Sequence, residues 1–134
     1  MNTCQIDLIK SSWSNLISLD ENPGILFYTH LFELDSSLER LFNGDIKAQS
    51  MKFTSMVTFF AYKLDDWEGI KLEAKNLGKR HTLYHVPDSS YRAVEMALMF
   101  TLKEALANLW NLETETAWKD LYLELEDLMV KEVC

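Results

Sequence analysis

Apolar side chains recur along this chain at spacings of three and four, the period of a helix with one buried face. Ile6, Ile9, Trp13, Leu16 and Ile17 form the first such stripe. Asn22-Pro23 then reads as an N-cap followed by proline at the first helical position, where its missing N–H costs nothing. The second helix that follows carries Leu26, Phe27, His30, Leu31 and Leu34 toward its inner side. A short third segment runs around Ser37 to Leu41. Asn43-Gly44-Asp45 is a turn, and Asp45 is placed to cap a long fourth helix in which Gln49, Phe53, Met56, Val57, Phe60 and Leu64 share one broad face.

A less regular fifth segment, around Gly69 to Tyr84, is stopped by Pro87, because the residue before a proline is pushed out of helical geometry. Asp88 or Ser89 can cap a sixth helix with Val94, Ala97, Leu98, Thr101, Leu102, Ala105 and Leu109 on its stripe. Asn111 can cap the last, which presents Trp118, Leu121, Tyr122, Leu125, Leu128 and Met129. Leu121 to Glu126 also alternates as a strand would. The helical spacing continues on both sides of it, however, and Leu and Glu favour helix. The prediction is an all-α chain of about seven helices with short joints.

Composition narrows the class. At 134 residues the chain is one domain by length, and its 48% hydrophobic and 25% charged residues are those of a soluble globular protein. Four glycines and two prolines are too few turn-formers for an all-β fold. A net charge of −8 repels phosphate backbones and argues against a nucleic-acid partner. The longest apolar run, Met96 to Phe100, is flanked by Glu95 and Lys103 and is too short to span a bilayer. The first residues carry no basic, apolar leader, so a cytoplasmic location is expected. Cys4 and Cys134 stand at the two ends without metal-ligand spacing, which suits a reducing compartment and no required disulfide.

Little in the chain can carry chemistry. There is no glycine-rich phosphate loop, and no serine lies in a strand-turn-helix context. The histidines are His30, His81 and His85. His81 and His85, four apart, would share a helical face and could bind a metal, but no further ligand is in register. From spacing alone His81 reads equally as a surface or capping group. Its surroundings raise it above that. Leu77-Gly78-Lys79-Arg80-His81 sets a leucine one turn before the histidine; Phe42 follows the short third segment; Gln49 and Phe53 share a face of the next helix; Tyr28 comes from the second.

Together these residues resemble the globin family, in particular the single-domain haemoglobins of bacteria, the haem domain of flavohaemoglobins, and neuroglobin. Lys10-Ser11-Ser12-Trp13 is similar to the first-helix tryptophan motif. Phe27-Tyr28 with Leu31-Phe32 is similar to the second helix with its distal tyrosine, and Leu41-Phe42 to the phenylalanine that stacks on haem. Gln49 falls at the distal position and Phe53 one turn on. Leu77 to His81 is similar to the proximal histidine segment, Tyr91 to the tyrosine of the bacterial subfamily, and Ala117-Trp118 with Leu121-Tyr122 to the start of the last helix. Ser36 stands where a proline is common, and Glu132 is the nearest counterpart of a late glutamate, with its register one off against some relatives.

The resemblance implies a three-on-three helical sandwich, one globin domain over residues 1–134, around one haem b (iron protoporphyrin IX). It implies His81 as proximal ligand to the haem iron and Tyr28 and Gln49 as distal hydrogen-bond donors to bound gas. Phe42, Phe53, Leu77, Val86 and Tyr91 would be haem-pocket residues, and Lys52, Arg80 or His85 would pair with the propionates. The second ring nitrogen of His81 would donate to the Leu77 carbonyl, with Tyr91 or Glu132 tuning the same proton. Tyr28 as plain core, Gln49 as a solvated face and the basic run Lys71, Lys75, Lys79 and Arg80 as a solvated helix are the competing readings.

The function so implied is reversible binding of oxygen, carbon monoxide and nitric oxide, with high oxygen affinity. Nitric oxide dioxygenase or peroxidase-like activity fed by a separate reductase is the enzyme alternative, and a haem-based redox or gas sensor is a third. A monomer or weak dimer without membrane or nucleic-acid partners is expected.

Overall fold

The structure is a computed structural model; it describes residues 1–20, 22–42, 44–83 and 90–131, and only the backbone of 81–83, 130 and 131. Among these residues the elements are α1 (Thr3–Leu19), α2 (Pro23–Leu34), a 3-10 helix (Ser36–Leu41), α3 (Ile46–Tyr62), α4 (Trp67–Leu83), α5 (Ser90–Leu106), a short 3-10 turn (Ala107–Leu109) and α6 (Leu112–Lys131). No strand occurs among them. α1, α3 and α4 lie against α2, α5 and α6, with α2 seated on both α3 and α5, and α6 on both α1 and α4. This is the three-on-three sandwich expected. Tyr84 and the caps Asp88 and Ser89 lie outside the described residues.

Side chains at the helix starts explain the boundaries. α1 opens with a reciprocal box: the Gln5 backbone N–H donates to Asn2 Oδ1 at 2.8 Å and the Asn2 N–H to Gln5 Oε1 at 3.3 Å. Asp45 caps α3 through the Lys47 N–H at 2.9 Å, and Asn111 caps α6 through the Thr114 N–H at 2.8 Å. Both were expected. Asn22 stands at the N-cap of α2 with Pro23 first in the helix, as expected, but makes no side-chain cap bond. Its Oδ1 instead accepts from Thr54 Oγ1 of α3 at 3.0 Å, and Thr54 Oγ1 accepts the Gly24 N–H at 3.2 Å. The orphan N–H of α2 is thus met from the neighbouring helix.

Where a proline was missing, Asp35 makes the bend. Its carboxylate accepts the Ser37 backbone N–H at 3.2 Å, and the Ser37 hydroxyl also donates to it. Two ends differ from expectation. Leu64 lies past the end of α3, although it is buried. Leu109 leaves the α5 stripe and is 50% exposed, because Ala107 at φ 50° takes the left-handed conformation that ends the helix. On α2, Leu34 is exposed and His30 half-buried, its Nε2 2.7 Å from Glu104 Oε2 of α5.

The core centres on Trp13, Leu16, Phe27, Phe53, Leu102 and Trp118. A smaller cluster, Phe60, Ile70, Ala74, Tyr91 and Met129, joins α4 to α6. Two helix crossings are too close for any side chain. A Cβ on Gly24 would lie 2.1 Å from the Ser50 carbonyl oxygen, and one on Gly78 would lie 2.5 Å from the Met129 carbonyl oxygen. Both neighbours are backbone and cannot swing away. Gly44 has open space around it. Gly24→Ala is therefore expected to lose at least about 1–3 kcal/mol of stability by urea unfolding. Gly44→Ala should stay within about 0.5 kcal/mol of the parent; equal losses would refute the crossing argument.

Candidate haem pocket

Between α2, α3, α4 and the α5–α6 pair lies a cavity of about 1150 Å³. Protein interiors tolerate few voids larger than a water molecule, and small-molecule pockets run to roughly 1,000 Å³. A hole of this size in so short a chain is built for an occupant.

The sequence-predicted residues converge on it. Phe42, Tyr28, Gln49, Phe53, Lys52, Leu77, Arg80 and Tyr91 all line the cavity. His81 follows Leu77 by one turn in α4, with its side chain beyond the description. His85, Val86 and Glu132 lie outside the described residues.

One wall is aromatic. Phe27 stacks on Phe53 with centroids 3.9 Å apart, and Tyr28 meets Phe42 edge-on at 5.1 Å. The wall holds one polar pair: Gln49 Nε2 donates to Tyr28 Oη at 3.2 Å. Tyr28 is 6% exposed, and Gln49 is half-buried rather than on a solvated face. Burial pushes the Tyr28 hydroxyl above its ordinary pKa, and the bond from Gln49 partly offsets this. Tyr28 Oη therefore stays protonated at neutral pH, and it has no acceptor among the described groups.

The opposite wall comes from α5 and α6. Tyr122 donates its hydroxyl to the Tyr91 carbonyl. Burial raises the Tyr122 pKa far above the ordinary range, and the carboxylates of Glu126 and Glu95, then Tyr91, add to the rise. Trp118, Tyr122 and Ser90 also line the cavity. Trp118 and Tyr122 belong to the apolar stripe that the spacing of the last helix predicts, and that stripe is the signal for them; Ser90 has no such signal.

At the mouth, Lys52 and Arg80 bring cations and Asp45 and Glu73 bring carboxylates. Arg80 Nη2 lies 3.3 Å from Glu73 Oε1, so the guanidinium expected for a propionate already has a partner on its own helix. Lys71 pairs with Glu68 at 3.0 Å, as a solvated helix face would. No set of three His, Cys, Asp or Glu able to hold a bare metal ion occurs among the described residues.

The aromatic and aliphatic lining suits a flat apolar ring, the cations at the mouth suit its acid groups, and hydrogen-bond donors stand on one side of the space with the histidine-bearing helix on another. The residues fit. The fold and cavity thus define a helical sandwich built to hold a large flat cofactor.

The globin family model matches residues 25–129, and the chain belongs to the globin family. Leghemoglobin of Canavalia lineata is 30% identical over 90% of this chain and 88% of its own length. An anaerobic nitrite reductase of Oryza sativa subsp. indica is 23% identical over 96% of this chain and 93% of its own. A Drosophila melanogaster globin superposes with a TM-score of 0.87 at 17% identity, covering 98% of this chain and 94% of that one. The engineered carbene transferase RmaNOD of Rhodothermus marinus gives 0.85 at 22%, covering 99% and 94%. Globins bind haem and, through it, diatomic gases. These relatives do not point to a bacterial origin for this chain.

The two buried tyrosines make stability pH-dependent. Their folded pKa values lie above the unfolded value near 10, so the unfolded chain loses protons first as the solution becomes alkaline. Stability should be complete below that value and fall as pH rises through it. Tyr122→Phe should flatten the slope in denaturation series at rising pH; an unchanged slope would show that Tyr122 titrates normally.

Proposed function

We propose that this chain is a haem protein that reversibly binds oxygen, and with it carbon monoxide and nitric oxide, beneath Tyr28 and Gln49. The observation that carries this is the direction of the polar pair: Gln49 gives its amide proton to Tyr28 Oη, which leaves the phenol proton for the cavity. Haem b held in this cavity would supply an iron that takes an imidazole ligand and binds such gases.

His81 would give that imidazole. Its second ring N–H would go to the Leu77 carbonyl, with Tyr91 or Glu132 tuning the same proton. Phe42 and Phe53 pack against the ring. Lys52, Arg80 and His85 answer its carboxylates, Arg80 by exchanging Glu73 for a propionate. Val86 would be a further haem-contacting residue. Tyr28 donates to a gas that carries partial negative charge, and Gln49 holds the phenol oriented or donates beside it. Because Tyr28 is fixed by its aromatic neighbours, little ordering entropy opposes that bond. The reading includes a single domain over residues 1–134, cytoplasmic, as a monomer or weak dimer without nucleic-acid or membrane partners.

A second reading is enzymatic. The rice relative is named an anaerobic nitrite reductase, and one-electron reduction of nitrite to nitric oxide consumes two protons and releases water. Nitric oxide dioxygenation is its oxygen-dependent counterpart. Each needs electrons from a separate reductase, so loss of nitrite or nitric oxide with and without one separates them from simple carriage.

A hydrogen bond to a charged acceptor contributes about 1.5–3 kcal/mol, and 1.4 kcal/mol is about tenfold in rate or equilibrium. Tyr28→Phe is expected to speed oxygen release by about tenfold or more in stopped-flow measurement. An unchanged rate removes Tyr28 from this role.

A further inference from the structure

Among the described residues, three buried side-chain polar atoms have no hydrogen-bond partner: Asn22 Nδ2, Glu124 Oε2 and Ser90 Oγ. Of these residues only Ser90 lines the cavity. At 2% exposed it is shut off from solvent. Buried polar groups are hydrogen-bonded as a rule, because a hydroxyl left unpaired in an apolar wall costs free energy. Ser12, Ser50 and Thr101, also buried, show the ordinary solution. Each gives its proton to a carbonyl three or four residues back, Ile9 at 3.1 Å, Ile46 at 2.7 Å and Ala97 at 2.7 Å. Ser90 is the first residue of α5, so no earlier turn of its own helix stands behind it to take the proton.

The same position carries charge. α5 runs for 17 residues, and its aligned peptide dipoles leave partial positive charge at the end that Ser90 opens. No acidic residue stands in its first turn to answer that charge, and Arg92 adds a cation there. Glu95 and Glu126, the carboxylates that bear on Tyr122, are not among the residues that line the cavity. An acceptor that reaches Ser90 from the cavity therefore meets positive potential, which favours an anionic one.

We propose that Ser90 is a cofactor-binding residue that gives its hydroxyl proton to one of the two carboxylates of the cofactor, at the start of α5. The proposal rests on the haem-binding reading above. Chemistry selects the group. Methyl and vinyl substituents accept no hydrogen bond, the four ring nitrogens are held by iron, and an axial imidazole presents its remaining ring nitrogen as a donor. The carboxylates are the acceptors that haem brings. The mouth of the cavity is not arranged to take both. Arg80 there lies 3.3 Å from Glu73, so its guanidinium is already shared. The two acids are then divided, one toward Lys52 and Arg80 and one toward α5.

The test follows haem loss from the ferric, haem-loaded protein to an excess of a tighter haem acceptor, read from the visible absorbance. Ser90→Ala is compared with the parent, since alanine keeps the helix start and removes the hydroxyl alone. Both proteins are also loaded with an iron porphyrin whose two acid chains are replaced by ethyl groups. With the natural two-acid haem, Ser90→Ala is expected to speed loss by about tenfold or more, as for a hydrogen bond to a charged acceptor. With the acid-free haem, Ser90→Ala should release it no faster than the parent does. Unchanged loss of the two-acid haem overturns the assignment. Equal acceleration with both haems overturns it too, because the hydroxyl would then serve the imidazole or the protein itself. A parent chain that develops no haem absorption band overturns the haem-binding reading as well, before any variant is compared.

Discussion

The crossing of α2 over α3 governs the pocket. With hydrogen in place of a side chain at Gly24, the α2 backbone reaches the Ser50 carbonyl region of α3. Every nearby contact inherits that approach. Phe27, three residues along α2, meets Phe53, three along α3, and the rings stack. Tyr28, one turn from Gly24, comes within hydrogen-bond reach of Gln49, the neighbour of Ser50. Thr54 reaches across to the start of α2. Moving the helices apart by the width of a methyl group would loosen the stack, lengthen the Tyr28–Gln49 bond and uncap α2 together. The distal side of the pocket is thus fixed by backbone contact, which has no rotamers to lose.

A second contact of the same kind works on the other flank. Gly78 lets α4 lie against the α6 backbone at Met129, three residues before His81. Two rigid crossings hold the walls of a large apolar hole apart, where a chain free to relax would collapse it. Each wall atom facing empty space forfeits dispersion contacts, so an occupant that binds only the folded chain adds to stability by mass action. A cofactor held there would couple its binding to folding through the same helices.

Much of this was legible in the sequence, and the limits are physical. The stripes gave the helices, because a buried face must repeat at the helical period whatever it packs against. Asp45 and Asn111 were readable as caps, because their partners lie within their own next turn. Asn22 is also at its expected place before α2, but its side-chain partner, Thr54, is thirty-odd residues away, and local spacing carries no record of it. The end of α5 was misplaced because Ala107 adopts a conformation usual for glycine, so composition gave no stop signal. Of the residues gathered by resemblance, Tyr28, Phe42, Gln49, Lys52, Phe53, Leu77, Arg80 and Tyr91 line one cavity. The Arg80–Glu73 pair needed three dimensions, since a side chain's partner depends on which faces meet.

The cavity is also electrically uneven. On the α2–α3 side stand protons to give: the Tyr28 phenol, kept neutral by burial, and the Gln49 amide. Behind the α5–α6 side stand Glu95 and Glu126, close enough to resist ionisation of Tyr122, whose own hydroxyl is tied to a carbonyl. Carboxylates behind one wall favour positive charge near that wall, and donors on the other favour negative charge there. Electron density in anything bound between them is drawn toward Tyr28. Low dielectric in the aromatic pocket lets that field act with little screening. On the proposed reading, a neutral gas that polarises on binding would meet a site already arranged for the charge it carries, and the protein would not need to reorganise to stabilise it.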